Sequence, residues 1–327
     1  MDETFTNRNV TTDEMRDNLI FVLSVYIPLD LVIIVGNSLV LFVLRQTRNY
    51  DASQFVLLGS LAFVDLLTGI IAVPMFMWAC ILRGSLYLQN IDVCQIQYIP
   101  SNICISVSVC HLLFITVDRY VSIMKPLQYH KLVNLNRIYF SIALSWVIGC
   151  VYGTVELFWA MDKIEGIFFC YQIDQRASDV QRYITLFMMS IGTILLITMY
   201  FRIVLEARKH ERHIVSIPVS TRNIVRRRYR AAKTSAIIIG AFVIVYLPYT
   251  LRPVVYSFGY QRSDLYWYVL IGDVLIYMNS AVNPFIYVCR LQQFSSALRR
   301  IFNKKSSYKV NKRNSTETVN CITDNVI

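Results

Sequence analysis

Seven stretches of this 327-residue chain run for about 18 residues or more with almost no charge, the length an α-helix needs to cross a bilayer. They fall near 20–44, 54–80, 93–117, 138–160, 183–205, 234–256 and 265–289. Their apolar residues are continuous instead of alternating at every second position, which selects helices over a barrel. Composition agrees with this. The chain is 55% hydrophobic and only 16% charged, with a mean hydropathy of +0.47, too little polar surface to clothe a soluble fold. The expected fold class is an all-α membrane protein, a seven-transmembrane helix bundle.

The spans divide the remainder into an extracellular N-terminus at 1–19, a transmembrane domain at 20–289, and two segments after it. In 290–302, Leu291, Phe294, Leu298 and Phe302 recur at helical spacing opposite a basic face, which suits a short amphipathic helix lying in the membrane interface. Residues 303–327 are polar and read as a disordered cytoplasmic tail. Most of the 32 Lys and Arg fall in 45–52, 125–137, 206–233 and 290–327, so those segments are expected inside and the N-terminus outside. The first residues lack the basic and apolar regions of a signal peptide, so the first span is expected to act as the insertion signal. The net charge of +11 sits beside spans, which points to anionic membrane lipids and a cytoplasmic partner, with no nucleic acid.

On the outer side, Asn9 begins a glycosylation acceptor, Asn9-Val10-Thr11. Cys94 and Cys170 both face the oxidising compartment and form the expected disulfide, two free thiols being the alternative.

Polar side chains inside a span are costly and mark sites. Asp65 lies about 15 Å from the inner end of the second span, and Ser108 about 16 Å above Arg119 in the third. Asn279 and Ser280 share that depth in the seventh. No Lys or Arg is available there, so Na⁺ held by Asp65 and Ser108 is one expectation. The other is a neutral Asp65 hydrogen-bonded to Asn37 and Asn283. Pro248 and Pro284 interrupt spans six and seven, as kinked helices around a polar core would require.

In order along the chain stand "GNSLV" with Asn37, "LAFVDLL" with Asp65, Cys94, Asp118-Arg119-Tyr120, Trp146, Cys170, Pro248 and "NPFIY" at 283–287. This set resembles the rhodopsin-like (class A) G-protein-coupled receptors over residues 20 to 303. The resemblance implies a plasma-membrane receptor without catalytic activity, a ligand pocket open to the outside, and a cleft that admits a heterotrimeric G-protein. Arrestin and receptor kinases are further partners it implies. Arg119 would meet the G-protein, with Tyr200 and Tyr287 packing toward it in the active state. No cofactor is expected beyond a bound Na⁺.

Departures from the family pattern narrow the ligand. Ser101 stands where amine receptors carry an Asp, and Asp273 in the outer half of span seven is a replacement counter-ion. Tyr249 and Tyr277 would offer aromatic faces to a cation. A structural bridge from Asp273 to Arg252 or Arg83 is the alternative. Tyr246 occupies the place of the usual Trp, and Gly192 the place of the usual span-five proline. The ligand is expected to be a small molecule, amine-like or odorant-like, with a short peptide second. An acid usual at the inner end of helix six is replaced by Arg228 within a basic cluster, so ligand-independent signalling is expected. No catalytic constellation is present. A transporter or channel is the competing class, and a receptor-like binding protein that does not signal is a third.

Overall fold

The computed structural model describes residues 12–46, 52–84, 98–125, 127–155, 160–163, 171–173, 175–213, 240–251 and 266–290, with short stretches at 254–255, 258, 294–296 and 298–299. Asn9, Cys94, Cys170, Arg252 and the Arg226–Arg230 cluster lie outside them, as does the side chain of Arg83.

Helix α1 covers Thr12–Gln46 and α2 covers Ala52–Leu67. A five-residue π-turn, Thr68–Ala72, joins α2 to α3 (Val73–Gly84), so the second span is one helix with a wide turn in its middle. Then follow α4 (Tyr98–Met124), the four-residue α5 (Tyr129–Leu132) and α6 (Leu135–Thr154). The last three are α7 (Gln175–His213), α8 (Gly240–Thr250) and α9 (Tyr266–Arg290). Among the described residues four stretches, Leu19–Gln46, Phe55–Trp78, Ile99–Met124 and Leu135–Thr154, are long and apolar enough to cross a membrane. In α7 and α8 the apolar helix is shorter, Ser190–Leu205 and Gly240–Thr250. Among the described residues the bundle departs from all-α in one place. Strands β1 (Ala160–Lys163) and β2 (Tyr171–Ile173) pair antiparallel between α6 and α7, with Lys163 opposite Tyr171.

Helix α4 is the central element and packs against α2, α6 and α7, while α1 packs against α2, α3 and α9. Helix α6 approaches α4 closely, and the sequence Gly149-x-x-x-Gly153 permits it. A Cβ on Gly149 would overlap the Val107 side chain, and one on Gly153 would overlap Ile103 and stand 3.0 Å from its backbone nitrogen. Small residues one turn apart let two helix backbones meet where no water drives them together. At its start α6 is capped by Asn134, whose side chain accepts from the Arg137 amide at 2.9 Å. The Arg137 guanidinium reaches back to the Lys131 and Leu132 carbonyls and closes the end of α5.

Burial is inverted relative to a soluble protein. Val35, Phe140, Val151, Phe187 and Ile244 are exposed on the outside of the bundle, while Asn37, Asp65 and His111 are fully buried within it. Apolar outside and polar inside is the arrangement a hydrocarbon solvent requires. The apolar core between the helices joins Val40, Val43, Leu57, Leu112, Leu196, Phe242 and Tyr287, and Phe294 beyond α9 packs into it. The Met-Met-Ser-Ile-Gly stretch at 188–192 forms no break in α7, and the irregular turn lies in the second span instead.

Candidate functional site

Three polar clusters lie along the bundle interior. The first closes the Arg119 end. Arg119 folds back on its neighbour, with Nε donating to Asp118 Oδ2 at 2.8 Å and Nη2 pairing with the same oxygen. Consecutive helix residues point about 100° apart, so only a long, flexible side chain closes such a pair. Asp118 Oδ1 accepts from the Tyr129 hydroxyl at 2.8 Å. Both charged residues are buried. Tyr120 turns away to pack on Ile123 and Ile203, between α4 and α7. Tyr200 is half-buried, and Tyr287 is buried with its hydroxyl lacking a hydrogen-bond partner.

The second cluster is centred on Asp65, fully buried in α2. Ser280 Oγ donates to Oδ1 at 2.7 Å and Asn283 Nδ2 donates to Oδ2 at 2.8 Å. Helices α2 and α9 are thus tied one turn from Pro284. Asn37 does not bond Asp65, contrary to one of the two arrangements expected from the sequence. Its amide group donates to the Ile33 and Ser280 carbonyls, both at 3.0 Å, because the α9 backbone stands nearer than the carboxylate. Asn37 Oδ1 is left buried without a partner. Ser108 and Asn279 are buried, and among the described residues neither hydrogen-bonds to Asp65. A carboxylate with a donor on each oxygen, and an amide oxygen with no donor, form a set that fits a small cation with oxygen ligands. No group of three or more His, Cys, Asp or Glu that could hold a metal occurs among the described residues.

The third cluster lies toward the Asp273 end. Ser101 Oγ and Tyr277 OH are 2.8 Å apart, joining α4 to α9 across the bundle. Asp273 precedes Tyr277 by four residues and so shares its helix face; all three are buried. Tyr277 meets Tyr26 edge-on at 5.9 Å and packs on Phe76 at the same centroid distance. Tyr246 is buried and stacks on Phe242 at 4.2 Å, while Tyr249 is half-buried beside the apolar core. The Tyr268 hydroxyl donates to the Pro248 carbonyl at 2.5 Å, near the end of α8.

Two features escaped the sequence reading. Tyr129 carried no signal, since it is eleven positions from its partner. The other is Asp30, an acid in the middle of α1 whose signal was plain: an ionisable residue in an apolar run. His111 is the satisfied packing histidine that its place in an apolar span leads one to expect: Nδ1 donates to the Val107 carbonyl and Nε2 accepts from Ser60, both at 2.7 Å. The carbonyl can only accept, which fixes these roles.

Apolar helices, buried polar networks and inverted burial together define a membrane-spanning helix bundle. The sequence profile of "7 transmembrane receptor (rhodopsin family)" matches residues 36–287, and the chain belongs to that family. It is a multi-pass plasma-membrane receptor that couples to G-proteins, and it is not an enzyme. Among its relatives is the adenosine receptor A2a of Homo sapiens, 29% identical over 310 residues, covering 85% of this chain and 72% of the relative. Trace amine-associated receptor 1 of Mus musculus is 28% identical over 314 residues, covering 87% and 91%. The adenosine receptor A2a of Cavia porcellus is 30% identical over 308 residues, covering 85% and 72%.

Proposed function

We propose that the receptor, with its N-terminus outside and C-terminus inside, recognises a small protonated amine with Asp273 as counter-ion. The Ser101–Tyr277 hydrogen bond carries this reading. It fixes the α9 face bearing Tyr277 and Asp273 toward the bundle interior, and it fills with a neutral hydroxyl the position on α4 from which an acid would otherwise act. A carboxylate one turn from an aromatic ring supplies both halves of an ammonium site. Relatives named for trace amines support the same ligand class.

The test is a panel of primary, secondary and tertiary amines read by cAMP and calcium, on wild type and Asp273→Asn. Loss of an ion pair in a desolvated pocket costs about 3 kcal/mol, or a hundredfold in potency. An amine equally potent on both proteins sinks the counter-ion assignment. A nucleoside ligand is the second reading, favoured by the adenosine-receptor relatives, and its potency would be indifferent to Asp273→Asn.

Asp65, Ser108 and the Asn37 amide oxygen would hold Na⁺, which supplies the positive charge this depth otherwise lacks. Arrestin and receptor kinases are the further partners of the cytoplasmic side, and anionic lipids of its basic flanks.

A further inference from the structure

Asp30 is the sole charged residue between Leu19 and Leu44. It lies eleven positions from Leu19, roughly 16 Å into the span, which places it near the bilayer midplane. Lipid headgroups begin about 15 Å from that plane, so none reaches it. No Lys or Arg occurs within 55–78, 99–118 or 265–289 to neutralise it from a neighbouring span.

Its carboxylate oxygen Oδ1 is buried and has no hydrogen-bond partner. What that oxygen faces is the π-turn of the second span. It stands 3.2 Å from where a Cβ of Gly69 would be, behind the side chains of Ile34 at 2.8 Å and Ile33 at 3.0 Å, so all three share the room that the missing side chain leaves. A π-turn stretches the ladder from i→i+4 to i→i+5, as the Val73 amide bonded to the Thr68 carbonyl shows. Seven positions further along the same face of α1, roughly 10 Å away, Asn37 Oδ1 is also buried and unpartnered. The α1–α2 seam therefore presents two buried oxygens without a donor, Asn37 Oδ1 beside the Asp65 cluster and Asp30 Oδ1 apart from it. A buried acceptor of this kind requires water or a cation.

We infer that Asp30 and the π-turn at Gly69 form a second station for a monovalent cation of sodium size, two helical turns from the Asp65 cluster toward the Asp273 end. Asp30 Oδ1 supplies the charge and water completes the shell. Gly69 is the positioning residue, because a side chain there would crowd Ile34, Ile33 and the Asp30 carboxylate together. The station is independent of which ligand the receptor binds.

The test uses the full-length receptor in lipid nanodiscs, with thermal unfolding followed against NaCl at ionic strength held constant by choline chloride. Wild type, Asp65→Asn, Asp30→Asn, the double variant and Gly69→Ala are compared. The expected result is that Asp65→Asn keeps a sodium-dependent rise in Tm, and that the double variant loses it. Gly69→Ala keeps its carboxylate but is expected to lose the same component as Asp30→Asn. Sodium-23 line broadening on the same samples reads binding directly, so a variant with altered stability still reports. A flat sodium response in Asp65→Asn alone overturns the inference. So does an Asp30→Asn protein with the sodium response and line broadening of wild type, the outcome expected if Asp30 merely stays protonated.

Discussion

The phenol of Tyr129 donates to Asp118 Oδ1, the oxygen left over once Arg119 has taken Oδ2. One carboxylate thereby restrains two elements, the end of α4 through Arg119 and the short helix α5 through Tyr129. Tyr129→Phe removes the second restraint and keeps the ring. A hydrogen bond to a charged group contributes about 1.5–3 kcal/mol, so ligand-independent nucleotide exchange is expected to rise by roughly tenfold. Basal exchange on a purified G-protein measures this directly, and an unchanged rate would remove Tyr129 from the switch.

The family resemblance puts Arg228, outside the described residues, where an acid is usual before the sixth span, and no Asp or Glu occurs between Glu211 and Asp264. On that reading Arg119 lacks a second acidic partner from that segment, and a measurable basal signal is expected in the wild-type receptor. Arg228→Glu should lower it, because it offers Arg119 a second restraint. The comparison is basal cAMP or calcium in transfected cells; wild-type values equal to untransfected cells contradict the prediction.

The Ser60–His111 bond is a stabilising contact whose two ends are unequal. Ser60→Ala leaves the buried Nε2 with no donor and is expected to cost about 1–3 kcal/mol. Ser60→Ala combined with His111→Phe removes both polar partners and should recover part of that loss, giving a favourable coupling in a double-mutant cycle. Thermal unfolding of the four purified proteins checks it. Strict additivity would mean that the bond contributes little.

Gly153→Val should damage the bundle more than any lipid-facing change on the same helix. The added atoms meet Ile103 side chain and backbone, and backbone cannot yield as a flexible side chain can. Overpacking of this kind costs about 1–3 kcal/mol. Val151→Ala, on the exposed face of α6, is the control expected to leave folding yield and Tm nearly unchanged.

Hydropathy made the spans legible, since length and absence of charge are properties of a single segment. Depth was legible in part for the same reason: 1.5 Å per residue placed Asp65, Ser108, Asn279 and Ser280 near one level. Of these Ser280 meets Asp65 while Ser108 and Asn279 do not, and Asn283 meets it as the neutral-Asp65 alternative had it. What depth cannot supply is rotation. Asn37 was placed at the right height but pointed at the wrong partner, because a few tens of degrees decide whether an amide meets a carboxylate or a neighbouring backbone. The π-turn was invisible for a related reason, as Thr-Gly-Ile-Ile-Ala is an ordinary apolar string and only its hydrogen-bond register sets it apart. Asp30 was legible and was passed over, because one acid does not disqualify a span.

That π-turn has a consequence for how the two ends of the receptor can vary. A wide turn absorbs one residue beyond the α-helical count, which rotates everything after it by about 100° relative to everything before it. Asp65 precedes the turn and Phe76 follows it, so the polar centre and the wall beside Tyr277 are phased separately on what looks like one continuous rod. Deleting a single residue there would leave Asp65 in place and swing Phe76 off its aromatic neighbours. The second span is thus indexed like two gears on a shaft, and a one-residue slip between them re-aims the pocket without moving the centre.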